Sequence, residues 1–185
     1  KLVRAALRKN DRMAAIELHP DDARLLKRAF AGDPLVQVKR MDGFQSLKAL
    51  LPPPIRRGVV IVDPAFEEKD EFSRLAKAIA DGVRRWATAS YLIWYPVKDS
   101  EAVAEFRIAM SEMPVKSVLN AELTVAPVTQ EGPLTASGLM ILNPPWTLEA
   151  QLREMLPFLA SVLAKGKSAW TLEWLVVEGA NAGAQ

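Results

Sequence analysis

The sequence predicts an α/β protein in which helices cover a layered β-sheet and parallel strands are joined by right-handed crossovers. Short apolar segments, typical of strands, alternate along the chain with longer amphipathic segments, typical of helices. The clearest strand is the β-branched segment at 58–62, whose continuous apolar character is typical of a parallel strand buried on both faces. Later in the chain, two strand segments follow each other with only residues 127–135 between them, which predicts an antiparallel pair at one edge of the sheet.

The first 62 residues contain three predicted strands separated by helices. Residues 1–9 have the pattern of a helix end, and a proline stops the strand that follows them. Asp21 or Asp22 is expected to cap the second helix, and Pro52–Pro54 end the third. The predicted elements are a strand at 13–18, a helix at 23–30, a strand at 36–40, a helix at 44–50 and a strand at 58–62.

The rest of the chain continues the alternation. A helix is predicted at 70–86, because apolar residues recur there at helical spacing. The following elements are a strand at 90–95, a helix from Asp99 or Ser100 to 110, strands at 117–125 and 135–142, a helix at 148–163 that contains Pro157 (a residue that kinks helices), and a strand at 169–177. Because Lys1 already lies in a helical pattern, we expect residues 1–179 to be the C-terminal portion of one domain, followed by a frayed tail at 180–185.

Composition excludes several classes of site. The 185 residues are 50% hydrophobic and 25% charged, which is typical of a globular domain with a proper core. Without cysteine there is no disulfide or thiolate metal site, and the single histidine, His19, excludes a multi-histidine metal site, so no metal is predicted. No apolar run is long enough to span a bilayer and no secretory signal is present, so a cytoplasmic location without membrane contact is expected.

The charge distribution is compatible with nucleic-acid binding without requiring it. The net charge is +2 and the pI is near 8.9. Basic pairs at Arg56-Arg57 and Arg84-Arg85 are candidates for holding RNA phosphates, although ordinary solvent-exposed faces are the favoured interpretation.

Three predicted strands in succession end near a carboxylate: Glu17, Asp42 and Asp63. In nucleoside-binding α/β folds, an acid at a strand end accepts hydrogen bonds from ribose hydroxyls, and active groups gather at the carboxyl ends of the strands. Each acid taken alone can also be a helix cap or a loop residue. The regular placement of all three favours a nucleoside-binding edge.

The segment Asp63-Pro64-Ala65-Phe66 resembles the (Asp/Asn)-Pro-Pro-(Tyr/Phe/Trp) motif of amino methyltransferases. A carboxylate and the Pro64 carbonyl can each accept one N–H of an adenine amine, and Phe66 can stack on the extruded base. Ala65 departs from the usual second proline. A second segment, Asn143-Pro144-Pro145-Trp146, matches the motif more literally. We expect it to be a strand-to-helix turn, with Trp146 packed as a lid.

Taken together, a series of segments makes the chain similar to one family, the RlmJ-type large-subunit ribosomal RNA adenine-N6 methyltransferases. The segments are Ile16–Pro20, Asp42–Phe44, Arg56–Gly58, Asp63–Glu67, Trp94–Pro96, Thr135–Gly138 and Asn143–Trp146. The resemblance implies a class I S-adenosylmethionine-dependent methyltransferase fold, which is a Rossmann-like sheet with an antiparallel edge. In this chain that sheet would lack its first, central strand, because the family has a further segment of domain-like size ahead of the position of Lys1. Without that segment, tight cofactor binding by these residues alone is not expected.

The resemblance also implies roles for individual residues. Glu17 would bind the cofactor ribose, Asp42 and Gly43 its adenine, and Asp63 would contact the cofactor as well as act in catalysis with Pro64 and Phe66. The implied reaction is methyl transfer from S-adenosylmethionine to the exocyclic N6 of an adenine in 23S ribosomal RNA. The implied partner is protein-free 23S ribosomal RNA, and the full-length protein would be a monomer.

Two other functions remain open at this level. Asp63, Glu67, Glu68 and Lys69 are the residue types of a metal-dependent nuclease, although acids at the start of a helix also complement its dipole. The other alternative is a non-catalytic nucleic-acid-binding protein involved in DNA utilisation, or competence. The three acids at the strand ends disfavour this function, because phosphate binding needs Lys and Arg. Four tryptophans, Trp86, Trp94, Trp170 and Trp174, are expected to pack in the core or on a sheet face, as is Trp146.

Overall fold

A computed structural model describes residues 1–129 and 132–178, and it divides the chain into two compact units, residues 1–50 and the residues from 51 onward. The predicted tail at 180–185 lies outside the described residues. None of the described helices is both long enough and apolar enough to cross a membrane.

The first unit is a parallel strand pair with short helices. Its elements are α1 (Leu2–Ala6), β1 (Met13–Glu17), α2 (Pro20–Ala29), β2 (Val36–Arg40) and α3 (Gly43–Leu50). The two strands are parallel over their whole length, from the Met13 and Val36 pair to the Glu17 and Arg40 pair. Their carboxyl ends therefore meet at one edge.

Helix α2 begins earlier than predicted. Pro20 is its first residue and His19 its N-cap, so the predicted capping role of Asp21 or Asp22 is wrong. Proline suits the first helical position because the missing N–H would have no partner there. The two aspartates lie instead in the first turn, where they complement the helix dipole.

The second unit is a mixed five-stranded sheet. Its elements are β3 (Val59–Val62), α4 (Glu71–Arg85), β4 (Ser90–Pro96), α5 (Ser100–Ser111), β5 (Val118–Thr124), β6 (Ala136–Leu142), α6 (Leu148–Leu163) and β7 (Ala169–Val176). The strand order is β3-β4-β6-β5-β7; β3 and β4 are parallel, and the other neighbours are antiparallel. The predicted α/β fold is confirmed, as is the antiparallel pairing of β5 with β6. The predicted edge position of this pair is wrong, because β4 lies beside β6 and β7 lies beside β5 and forms the edge.

Helices cover the two faces of this sheet. Leu119 and Ile141 pack with Leu152 and Leu156 of α6 on one face. On the other face the ring of Tyr95 lies 5.4 Å from that of Phe106 on α5. Asp99 caps α5 as predicted, because its carboxylate accepts the N–H groups of the next turn.

Strand β3 is less buried than predicted. Val59 is 59% exposed and Ile61 is 54% exposed, so the expectation of burial on both faces is wrong. Side chains alternate between faces, and β3 is an edge strand of its unit with β4 as its partner. More than half of each of these two side chains is therefore open to solvent. Trp170, on the edge strand β7, is 37% exposed and lies on a sheet strand rather than in the core.

Candidate active site

Two acids lie at the carboxyl edge of the first unit's strands. Glu17 is the last residue of β1, is half-buried, and accepts the His19 N–H at 2.8 Å through Oε1. Asp42 follows β2 by two residues, and its Oδ1 accepts the Gln45 N–H at 2.8 Å, which caps the start of α3. The strands are parallel, so the structure brings these two acids to the same edge, as predicted.

The same edge has the properties that a nucleoside cofactor requires. Among the described residues, none donates a hydrogen bond to the second carboxylate oxygen of Glu17, which leaves it available to a ribose hydroxyl. Gly43 is exposed, and a Cβ built on it would meet no atom within 4 Å. An approaching ligand can therefore reach the Gly43 backbone. The donor set of Glu17, Asp42 and Gly43 fits the nucleoside part of S-adenosylmethionine.

In the second unit, Asp63 lies at the carboxyl end of β3. The strand ends at Val62, which pairs with Ile93 of the parallel strand β4. Asp63 is exposed, and the described residues form no hydrogen bond or ion pair with its carboxylate. Pro64 beside it is half-buried. The carboxylate is thus free to act as an acceptor for a ligand at this edge of the sheet.

Phe66 is held by other aromatic rings in an unusual backbone conformation. Its φ is 53°, which is rare for a bulky residue and costs about 1–3 kcal/mol. The ring centroid of Phe66 lies 4.8 Å from that of Phe72 and 6.0 Å from that of Trp94. Such strain persists only where the surroundings fix the conformation, and it is concentrated at functional sites. The half-buried ring keeps part of its surface accessible for stacking.

The aromatic cluster continues to a buried tyrosine. Phe72 lies 6.3 Å from Tyr95, whose hydroxyl is 2.7 Å from Oδ1 of Asn120 and 2.8 Å from Oε1 of Glu122. Burial, followed by the charge of Glu122, raises the pKa of Tyr95, so this hydroxyl stays protonated. Phe72, which contacts Phe66, thus also packs against a buried and hydrogen-bonded residue of β4.

Two residues beside this site were not among the predicted site residues. Trp94, which was expected to pack in the core or on a sheet face, lies against Phe66. Glu71 is 9% exposed, and its Oε2 accepts the N–H groups of Glu67 and Glu68. In a capping box a glutamate accepts the N–H three residues before it, and the spacing of Glu68 and Glu71 is the signal that could have indicated this contact.

The second motif lies at the amino end of β4, opposite the end of the β3–β4 pair that carries Asp63. Asn143 follows β6, whose last residue, Leu142, pairs with Tyr91 near the amino end of β4. Its side-chain N–H groups donate to the carbonyls of Ala87 and Ala89 at 2.8 and 2.9 Å. Asn143 is thus the turn residue that was predicted. The expectation that Trp146 packs as a lid or in the core is wrong, because its side chain is 93% exposed.

The candidate phosphate-binding arginines also lie away from Asp63. Arg56 and Arg57 precede β3, and Arg84 and Arg85 end α4, so all four lie toward the amino edge of the β3–β4 pair. Arg84 forms an ion pair with Asp81. A phosphate-binding role for these arginines remains a prediction that concerns this other edge.

The residues proposed for a nuclease do not form a metal site. Among residues 1–129 and 132–178, no three histidine, aspartate or glutamate side chains are grouped so that they could hold a metal ion. Asp63, Glu67, Glu68 and Lys69 are all exposed and lie in the segment between β3 and α4.

Comparisons with known proteins agree on one family. A family model described as "Ribosomal RNA large subunit methyltransferase D, RlmJ" matches residues 1–176. Two curated proteins named "Ribosomal RNA large subunit methyltransferase J" are similar to the chain. The Haemophilus influenzae protein is 42% identical over 93% of this chain and 62% of its own length. The Escherichia coli K12 protein is 38% identical over 96% of this chain and 64% of its own length. The chain thus spans less than two thirds of these relatives.

A solved structure has the same fold. A crystal structure of a protein from Legionella pneumophila, strain Philadelphia 1, matches with a TM-score of 0.84 and 35% identity. The match covers 91% of this chain and 62% of that one.

Proposed function

The chain belongs to the family described as ribosomal RNA large subunit methyltransferase D, RlmJ, and on that premise we propose that the full-length protein methylates the exocyclic N6 of an adenine in 23S ribosomal RNA. The observation that carries the proposal is the position of Asp63-Pro64-Ala65-Phe66 at the carboxyl end of β3, with an unpaired carboxylate and a partly accessible aromatic ring. Active groups of open α/β sheets gather at that edge.

The chemistry assigned to these residues is orientation of a weak nucleophile. The lone pair of an adenine amine is delocalised into the ring, so the nitrogen must be held in the reactive geometry. The Asp63 carboxylate accepts one N–H of the amine and the Pro64 carbonyl accepts the other. The carboxylate also favours the positive charge that develops on nitrogen during transfer. Phe66 stacks on the extruded base. Ala65, in place of the usual second proline, removes no atom used in these contacts.

Glu17, Asp42 and Gly43 are proposed to hold S-adenosylmethionine. When bound, this cofactor supplies an electrophilic methyl group. Glu17 has a carboxylate oxygen available for ribose hydroxyls, and the open Gly43 backbone admits the adenine beside Asp42.

The proposal also covers the form of the substrate, the oligomeric state and the cellular location. We infer that the substrate is protein-free 23S ribosomal RNA, that the full-length protein acts as a monomer, and that it works in the cytoplasm. What supports the RNA substrate is that both curated relatives are named as ribosomal RNA large subunit methyltransferases.

Methyl transfer by the full-length protein tests the reaction. The protein is incubated with methyl-labelled S-adenosylmethionine and protein-free 23S ribosomal RNA, with DNA of the same sequence as comparison, and the nucleosides are then separated. We expect the label in N6-methyladenosine from RNA. Label in another nucleoside would contradict the proposed target. RNA binding without any transfer would contradict the proposed reaction and favour the non-catalytic function.

The two similar motifs supply a matched pair of variants. Phe66→Ala removes a stacking surface worth about 1–3 kcal/mol, so methyl transfer should fall by about 10-fold to 100-fold. Trp146→Ala removes an exposed ring at the other edge of the sheet and should leave transfer unchanged. If Trp146→Ala lowered methyl transfer and Phe66→Ala did not, the base would stack at the second motif and the proposed role of Phe66 would be wrong.

A further inference from the structure

We propose that Glu71 is a positioning residue that fixes the loop carrying Asp63 and Phe66. The inference rests on the proposed function, since it concerns the shape of that same site. The loop leaves β3 at Val62 and reaches helix α4 at Glu71. It must hold its conformation over residues 63–70, where no helix or strand hydrogen bonds are available.

The Glu71 carboxylate supplies the missing partners. Its Oε2 accepts the Glu67 N–H at 2.9 Å and the Glu68 N–H at 3.2 Å. These are the two amides directly after Phe66, so one oxygen ties the far side of the loop to the first turn of α4. The backbone N–H of Glu71 in turn donates to the Glu68 carbonyl at 3.2 Å. This pair of contacts closes the loop on itself.

Because Glu71 is buried, a residue at this position must be a strong hydrogen-bond acceptor to make these contacts. Glu71 is 9% exposed, which is unusual for a glutamate and is tolerated only where the charge is hydrogen-bonded. The N-terminus of α4 adds a favourable dipole. Hydrogen bonds to an ionised group are stronger than those between neutral groups. An apolar residue at this position would leave both amides without their partner.

The loop needs such a tie because Phe66 is strained. Its φ of 53° lies in the left-handed region, and its ring is held between Phe72 and Trp94. Ring packing restrains Phe66 from one side, and Glu71 restrains the next two residues. If the tie is lost, Phe66 can relax toward an ordinary φ, which moves its ring and the neighbouring Asp63 carboxylate.

Three variants of the full-length protein separate this role from general stability. Glu71→Ala removes the acceptor, and Glu71→Gln keeps one acceptor oxygen. Glu105→Ala is the control, because Glu105 is an exposed acid on α5 whose side chain forms no hydrogen bond or ion pair with the described residues. Amide hydrogen exchange is measured at Glu67 and Glu68, with Ile93 in the buried strand β4 as a measure of global folding. Methyl transfer is measured as separate kcat and KM values.

For Glu71→Ala we expect the Glu67 and Glu68 amides to exchange about tenfold faster or more, with Ile93 unchanged. We expect kcat to fall by about tenfold or more, and the KM for S-adenosylmethionine to stay within about twofold. Glu71→Gln should restore kcat to within about threefold of the wild-type value, and Glu105→Ala should match the wild type.

Unchanged exchange at Glu67 and Glu68 in Glu71→Ala would overturn the proposal. So would faster exchange with an unchanged kcat, because the tie would then have no bearing on the reaction. Failure of the wild-type protein to transfer methyl groups would overturn the proposed function instead. The exchange rates would still decide whether Glu71 holds the loop.

Discussion

Gly138→Ala is the substitution for which the structure gives the sharpest expectation. Gly138 lies in β6, is buried, and faces Tyr95 across the β4–β6 pair. A Cβ built there would lie 2.0 Å from Cζ of Tyr95 and 2.4 Å from its hydroxyl oxygen. Carbon atoms that are not bonded do not approach so closely, so the ring or the strand must move.

The ring of Tyr95 has little freedom to move. Its side chain is fully buried, its hydroxyl contacts Asn120 and Glu122, and its ring packs 5.4 Å from Phe106. Overpacking costs about 1–3 kcal/mol. The hydroxyl has a single proton to donate, so loss of its hydrogen bond adds about 0.5–1.5 kcal/mol. We therefore expect Gly138→Ala to lower the free energy of unfolding by about 1.5–4.5 kcal/mol.

Urea denaturation followed by circular dichroism measures the effect, and a double-mutant cycle assigns its cause. In a Tyr95→Leu background the clashing atoms are absent, so adding Gly138→Ala should cost less than about 1 kcal/mol. If the cost of Gly138→Ala were the same in both backgrounds, the clash with Tyr95 would not be its origin. A cost below about 1 kcal/mol in the wild-type background would contradict the packing described here.

Two further predictions concern stability. Asn143→Ala removes the side-chain donors to the Ala87 and Ala89 carbonyls from a residue whose φ is 49°. Urea denaturation should show that the free energy of unfolding falls by about 2–4 kcal/mol, and by less in Asn143→Gly, because glycine tolerates that φ. Equal losses in the two variants would exclude a backbone contribution. Burial raises the pKa of Tyr91 to about 12 from 10.0, so the folded state holds the hydroxyl proton more tightly than the unfolded state does. This difference stabilises the fold by at most about 3 kcal/mol; the stabilisation is present below pH 10 and is lost as the pH rises toward 12. In Tyr91→Phe the fall of Tm over this pH range should become shallower, and an unchanged slope would contradict the assignment.

Apolar periodicity was sufficient to predict the strands and helices, because it reflects local backbone geometry. The strand predicted at 36–40 and the helix predicted at 148–163 have the bounds of β2 and α6. The succession of acids was also informative, since Glu17, Asp42 and Asp63 each lie at or directly beyond the carboxyl end of a strand. Strands that run parallel end on the same side of their sheet, so this arrangement could be predicted without knowing which residues are in contact.

Exposure was harder to predict, because it depends on what packs against a residue. Trp146 is large and apolar, which favours burial, but it follows a turn fixed by Asn143 and two prolines and points away from any described neighbour. The converse holds for Glu71, whose charge favours exposure and whose burial depends on two backbone amides. The arrangement around Phe66 was only partly predictable for the same reason, since Trp94 reaches it from a different strand.

The rate of methyl transfer by Asp63→Ala tests the account of the site most directly. In the full-length protein, at saturating S-adenosylmethionine and ribosomal RNA, we predict a fall of about 10²-fold to 10³-fold, the usual effect of removing one preorganised electrostatic contact from a reacting group. RNA affinity should change little, because a carboxylate does not bind phosphate. A rate within about threefold of the wild-type value would contradict the assignment of Asp63 as the acceptor that orients the adenine amine.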